Sequence, residues 1–254
     1  MEVIKFSSLD KVMCEKILNS YRQVNRLDPD IMRQYWCWKY TENPLGESIG
    51  YAALDNKGEV ASLRMLWKRP PINMLGNADI YQVGDTFTLP HYRRQGLAEK
   101  VLGELVKDTQ SLSLYNFPNR NSSRIFDKFG WKHVNQLRLK LSFNLLGLSY
   151  KRVKPQEALD LLCDHFNADH DTLDWLLVQN NKKYTFWRSK EGVMVTKKQR
   201  GIKTVVYSTT NAVMGLKWTN TVSEKRETVL LPDILVYQRA DYDLNITTLD
   251  VDYL

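Results

Sequence analysis

Apolar positions along the chain follow two spacings, about every 3.6 residues and every second residue, and the switches between them mark the elements. Val12, Ile17, Leu18 and Tyr21 recur at helical spacing and predict a helix over Leu9–Val24, with Ser8 as its N-cap. Asp28–Tyr40 reads as a second helix that ends in the run Tyr35-Trp36-Cys37-Trp38-Lys39-Tyr40 and is stopped by Asn43-Pro44. Ser48–Leu54 and Val60–Trp67 flank Asn56-Lys57-Gly58 and predict a hairpin. Ile80–Leu89 predicts a buried strand closed by Pro90. Leu97, Val101, Leu102, Leu105 and Val106 then trace one face of a helix starting near Gln95. A strand at Leu112–Phe117, a helix at Ser122–Phe129 ended by Gly130, and a strand at Leu137–Leu146 follow.

Lys151-Arg152-Val153-Lys154-Pro155 is the best linker candidate in the chain. Beyond it the pattern predicts helices over Gln156–Phe166 and Asp171–Gln179, then strands at Tyr184–Arg188, Val193–Lys197, Thr204–Ser208 and Ile234–Gln238. Helices alternating with strands imply a layered α/β fold, of α+β type with a mixed sheet, divided at residues 1–148 and 149–254. Asp30–Trp38 and Asp171–Trp175 both lead into strand-forming segments at similar spacing, a weak internal echo.

Composition narrows the class. The 254 residues are 43% hydrophobic and 26% charged with few Gly and Pro, which excludes disorder and collagen-like structure. Cys14, Cys37 and Cys163 are odd in number and widely spaced, as in a reduced cytoplasmic protein. No apolar run reaches the roughly 18 residues of a membrane span. Residues 1–150 carry 21 Lys+Arg against 15 Asp+Glu, while residues 151–254 carry 15 against 14, so the positive charge sits in the first half. That placement suits an anionic ligand there, or a basic surface tuned for solubility.

The stretch Asp85–Ala98 carries the chemistry. It runs from a strand through Pro90-His91-Tyr92-Arg93-Arg94-Gln95-Gly96 into a helix beginning Leu97-Ala98. Free N–H groups at a helix N-terminus attract anions, Gly96 and Ala98 admit a ligand to the backbone, and Arg93 and Arg94 suit phosphate. In this setting the segment reads as a pyrophosphate cradle; Arg-x-x-Gly-x-Ala by itself reads better as an ordinary helix cap.

Arg93-x-x-Gly96-x-Ala98 resembles the signature of the GNAT superfamily of acyl-CoA-dependent N-acyltransferases. A second block of that family, in order and at the expected spacing, is matched by Asn119, Ser122, Ile125-Phe126, Lys128 and Gly130-Trp131. The resemblance covers about residues 1–145. Trp38-Lys39-Tyr40-x-x-Asn43-Pro44 and Phe117-Pro118-Asn119 look like a long branch of the family with a degenerate second GNAT-like half, placing residues 149–254 in that half. The resemblance implies acetyl-CoA or another acyl-CoA as cosubstrate and direct attack by an amine in a ternary complex. It implies that the strand Asp85–Leu89 splays from its neighbour near Tyr115, with the pantetheine arm in the gap. Phe87, Thr88 and Leu89 would bind that arm and polarise the thioester carbonyl. Arg93, Arg94, Gln95, Gly96, Leu97 and Ala98 would hold the pyrophosphate, with Asn119 and Phe126 on the far side.

Two proton carriers are needed. Asp85, on the strand beside the thioester, is the first candidate for general base; the alternative is a carboxylate binding loop backbone. Many family members carry a tyrosine where this chain has Phe126, so Tyr115 is the candidate acid, against the alternative of a packed strand residue. A thiol with a pKa near ~8.5 also leaves unassisted.

Cys163-x-His165-x4-His170 lacks a second cysteine pair and matches no strong zinc pattern, so no metal is expected. Tyr35, Trp36, Trp38 and Tyr40 read either as a wall of an acceptor pocket or as core. The branch resemblance and these aromatics point to a small-molecule amine acceptor, an amino sugar or sugar nucleotide. Two rival readings remain. One is the same chemistry on a macromolecular amine, a protein lysine or N-terminus or an aminated nucleobase, with nucleic acid not favoured. The other is a non-catalytic module that binds coenzyme A. The Asp241-Tyr242-Asp243 and Asp250–Leu254 carboxylates stay open as contributors to the site.

Overall fold

Half-apolar strands bury their faces only when neighbours and helices cover them, and here the strands join into one sheet with helices packed on it. The computed structural model describes residues 1–24, 28–69, 80–142, 149–166, 168–179, 184–199, 202–209, 215–221 and 234–239; Asp241–Asp243 and Asp250–Leu254 lie outside them. In chain order the first half holds β1 (Glu2–Ser7), α1 (Lys11–Arg22), α2 (Pro29–Trp36), β2 (Ile49–Leu54), β3 (Val60–Lys68), β4 (Ile80–Thr88), α3 (Leu97–Asp108), β5 (Ser113–Asn116), α4 (Arg120–Lys128) and β6 (Lys132–Ser142). The second holds β7 (Lys151–Val153), α5 (Pro155–Phe166), α6 (His170–Leu177), β8 (Thr185–Arg188), β9 (Val193–Gln199), β10 (Ile202–Ser208), β11 (Gly215–Thr221) and β12 (Ile234–Arg239).

The described strands lie in the order β1-β2-β3-β4-β5-β12-β6-β11-β10-β9-β8-β7. Read from either edge, the order is the same with six added to each number, and the two halves have exchanged their last strands. β12 pairs with β5, β6 pairs with β11, and β6 and β12 pair with each other at the centre. The parallel contacts fall at equivalent places too, β4 with β5 and β10 with β11. The echo between Asp30–Trp38 and Asp171–Trp175 has a physical counterpart. The Trp38 and Trp175 indoles stack at 5.3 Å, and each Nε1–H donates to the other residue's backbone carbonyl at 2.9 Å. One hydrophobic core accordingly runs through both halves, from Phe6, Ile17 and Trp36 to Leu162, Leu173 and Val195. The halves differ in the length of one connection: β4 and β5 are separated by 24 residues that include α3, β10 and β11 by six.

Several details depart from the sequence reading. Asp10, not Ser8, caps α1, its carboxylate accepting from the Met13 N–H at 3.0 Å, and Met13 rather than Val12 is buried. The second helix ends at Trp36 and continues as a π-helical turn over Cys37–Thr41. Lys151–Val153, the linker candidate, is strand β7 paired with β8. β1 pairs with β2 so that the Phe6 ring lies on Gly50, where a Cβ would come within 1.9 Å of the ring. Among the described residues no helix is long and apolar enough to cross a membrane.

Candidate active site

β4 is where the regular ladder fails. Against β3, Phe87 faces Leu63 and Gly84 faces Met65, so Asp85 and Thr86 together oppose the single residue Arg64. This is a β-bulge, which bends a strand and re-aims its side chains. Asp85 takes φ +35°, a left-handed conformation unusual for a residue with a side chain. On its other edge β4 pairs with β5 only over Ile80–Gln82, while β12 pairs with the far edge of β5. From Val83 to Thr88 that edge has no strand partner among the described residues. A cavity of about 380 Å³ occupies the opening. Tyr21, Tyr35, Gly84, Asp85 and Thr86 line it towards α1 and α2; Arg64, Asn119, Ser122 and Phe126 line it towards α3 and α4.

Asp85 is tied on the first side. Its Oδ1 accepts from the Tyr21 hydroxyl at 3.1 Å, and its Oδ2 from Lys39 Nζ at 2.8 Å, from Tyr35 at 3.4 Å and from Tyr40. Lys39 is fully buried among the Tyr35, Tyr40 and Trp67 rings. Burial pushes the Asp85 carboxyl upward. The Lys39 charge and the hydrogen bonds from Lys39, Tyr40 and Tyr21 outweigh that, holding it below its ordinary value. A carboxylate so held is a firm anion and a weak proton acceptor. On the other side Arg64 is 1% exposed, its guanidinium 5.0 Å from the Phe126 ring centroid. Phe126 is itself fully buried and edge-on to Trp131.

The segment Arg93–Ala98, the expected cradle, lies beyond the open end of β4. Arg94 at φ +64° and Gly96 at φ +75° are both left-handed. Left-handed residues interleaved with ordinary ones turn successive N–H groups towards one concave face. Gly96 is the residue before α3, and a Cβ on it would meet nothing within 4 Å, so its conformation and not crowding calls for glycine. The Arg93 and Arg94 side chains are exposed, with Arg93 Nε donating to the Thr88 carbonyl at 3.2 Å. Gln95 bonds back to the His91 carbonyl at 3.2 Å. Leu97 is buried beneath the helix and Ala98 is half-buried.

The structure thus brings Asp85, Asn119 and Phe126 to one cavity, with Phe87, Thr88 and Arg93 lining an adjoining cleft shared with Tyr21. Leu89 sits behind, its N–H bonded to the Ala61 carbonyl at 2.9 Å. Asn119 starts α4, its side chain accepting from the Ser122 N–H at 2.9 Å. Tyr115 is not among the cavity's lining residues. Its hydroxyl is buried, donating to Gln82 Oε1 at 3.2 Å and accepting from Arg69 Nε at 3.1 Å. Trp36, Trp38 and Tyr40 belong to the core, and of that aromatic run Tyr35 alone lines the cavity. His165 bonds the Tyr207 hydroxyl at 2.6 Å rather than meeting Cys163 and His170 in a cluster.

Sequence reasoning missed Lys39 and Arg64. The one signal available was a basic residue inside an otherwise apolar segment, Lys39 within an aromatic run and Arg64 within Val60–Trp67.

No protein-family model matches the chain, and neither does any curated protein sequence. Solved structures do. A GCN5-related N-acetyltransferase from Kribbella flavida is 11% identical, with a TM-score of 0.58 over 94% of this chain and 72% of that one. A GCN5-related N-acetyltransferase from Anabaena variabilis is 11% identical with a TM-score of 0.59 over the same shares. A tandem GNAT protein from the clavulanic acid biosynthesis pathway is 9% identical, with a TM-score of 0.56 over 94% of this chain and 98% of that one. The likeness is one of fold: this chain folds as these N-acetyltransferase structures do.

Proposed function

We propose that this protein is an N-acyltransferase that moves an acetyl or related acyl group from acyl-CoA to a primary amine of a small molecule. The observation that carries the reading is the unpaired edge of β4 past Gln82, which leads directly into the left-handed, arginine-flanked start of α3. An extended amide-bearing arm completes such an edge by strand-like hydrogen bonds, and the pyrophosphate attached to that arm meets the N–H groups at the helix start. Residues 1–148 then form the catalytic half. Residues 149–254 serve as support, because the six residues between β10 and β11 are too few for a helix the length of α3. The N-acetyltransferase names of the structural neighbours agree with this reading.

In the reaction the acyl carbonyl lies along β4, and the backbone N–H of Phe87 or Thr88 donates to the oxygen as it becomes negative, that of Leu89 being bonded to Ala61. Arg93 and Arg94 pair with the pyrophosphate, while Asn119 and Phe126 bound the far wall. The amine approaches from the side of Tyr21, Tyr35 and Asp85. Asp85, its charge answered by the Lys39 ammonium and its oxygens already holding four donors, keeps the bulge in shape; the neutral amine attacks, and its proton passes to water.

The acceptor assigned is an amino sugar or sugar nucleotide, whose flat apolar faces suit Tyr21 and Tyr35. Release of the coenzyme A thiol, followed with acetyl-CoA and a panel of amines, tests this. Turnover is expected with amino-sugar nucleotides; acylation of another amine class with none of these would remove the sugar assignment. No turnover with any amine would leave only binding of the cofactor.

A further inference from the structure

Arg64 is a buried charge with no ion-pair partner among the described residues. It sits in the middle of β3, opposite the bulge, and is 1% exposed. Its Nε has no hydrogen-bond partner, and the bond from a terminal nitrogen to the Ala98 carbonyl is 3.5 Å long and weak. No carboxylate among the described residues pairs with it. Burial lowers its pKa to about 10, which leaves it protonated at neutral pH. A buried cation without a counter-ion is costly and is retained only where something answers it. Asp85 does not, since its carboxylate is committed to Lys39 and three tyrosines on the opposite face of the sheet.

Beyond the Phe126 ring and the Ala98 carbonyl, the cavity that Arg64 lines admits an anion to it. We propose that Arg64 stabilises the coenzyme A thiolate that departs on acyl transfer, in place of a hydroxyl acid. This rests on the acyl-transfer reading above. Phe126, stacked on the guanidinium, has no proton to give, and the Tyr115 hydroxyl is committed elsewhere. In the step, the amine nitrogen bonds to the acyl carbon and the carbon–sulfur bond breaks. Its electron pair passes to sulfur, and the amine's proton passes to water. The ground-state thioester is neutral and gains little from Arg64, whereas the departing sulfur gains much, so the stabilisation acts on the transition state and product.

The test is the titration of the thiol of coenzyme A bound to the protein, read by the ultraviolet absorbance of the thiolate. In the wild type the bound thiol is expected to ionise at least about one pH unit below free coenzyme A, a tenfold shift in favour of thiolate. Arg64→Met returns it to the free value, and Arg64→Lys restores part of the shift. Desulfo-coenzyme A, which has no thiol, binds wild type and Arg64→Met alike. A bound wild-type thiol that titrates like free coenzyme A overturns the inference without requiring any variant to fold. A dependence on Arg64 confined to succinyl-CoA, whose acyl chain ends in a carboxylate, overturns it in favour of an acyl-carboxylate site. Failure of the wild type to bind coenzyme A at all removes the acyl-transfer reading itself, and this inference with it.

Discussion

The double variant Arg94→Glu, Gly96→Glu loses the stabilisation that coenzyme A gives the wild type. Ligand at about 100 times its dissociation constant adds about 2.7 kcal/mol to a folded protein. In a chain of this size that is a rise of roughly 5–10 °C in melting temperature. The variant places two carboxylates where the pyrophosphate would lie and removes one of the two arginines. Glutamate at position 96 also has to adopt φ +75°, at a cost of about 1–2 kcal/mol. The variant is therefore expected to melt slightly lower than the wild type without ligand and to show no shift with it. Thermal melts at matched coenzyme A concentrations check this; an equal shift in both proteins would place the ligand elsewhere.

Asp85→Ala is expected to destabilise the fold by about 3–5 kcal/mol, because it leaves the Lys39 ammonium buried without its partner. The Asp85 side chain is 11% exposed and that of Lys39 1%, so solvent screens the pair little. Asp85→Ala combined with Lys39→Met removes both charges and should recover much of the loss. A double-mutant cycle by denaturant unfolding measures the coupling. The pair also sets a pH dependence. The Asp85 carboxyl is held below its ordinary value of 3.8 in the folded protein, so its contribution is complete above that pH and disappears as pH falls through the lower folded value. Wild type should lose stability on acidification below about pH 4 more steeply than Asp85→Asn. Parallel acid profiles would mean that Asp85 is not the anion of this cluster.

Much of this arrangement is legible in the sequence, and the reasons differ by element. α3 has an uninterrupted apolar stripe from Leu97 to Leu105 and a glycine before it, so both its face and its start can be read. The bulge cannot. Residues 83–88 form a continuous strand pattern, and only pairing with β3 shows that two residues oppose Arg64. The exchange of β6 and β12 is likewise invisible, because it is a choice of partner and not of local conformation. β1 and β11 went unread because strand formation there depends on a neighbour: Glu2–Ser7 has only Phe6 fully buried, over Gly50. The aromatic run at Tyr35–Tyr40 is ambiguous for a related reason. A π-helical turn at Cys37–Thr41 resets the phase, sending Trp38 to Trp175 and Tyr40 to Asp85 while Tyr35 reaches the cavity. Lys39 looks like a solvated charge until the tertiary structure brings Asp85 to it.

The central claim is that acyl-CoA lies along the open edge of β4 with its pyrophosphate at the start of α3. Amide hydrogen exchange with and without acetyl-CoA tests it most directly. Binding there slows exchange at Val83–Thr88 and at Arg93–Ala98 and leaves Val193–Ser208, the corresponding strands of the second half, unchanged. Exchange that stays the same over Val83–Ala98, or slows instead over Val193–Ser208, would contradict it.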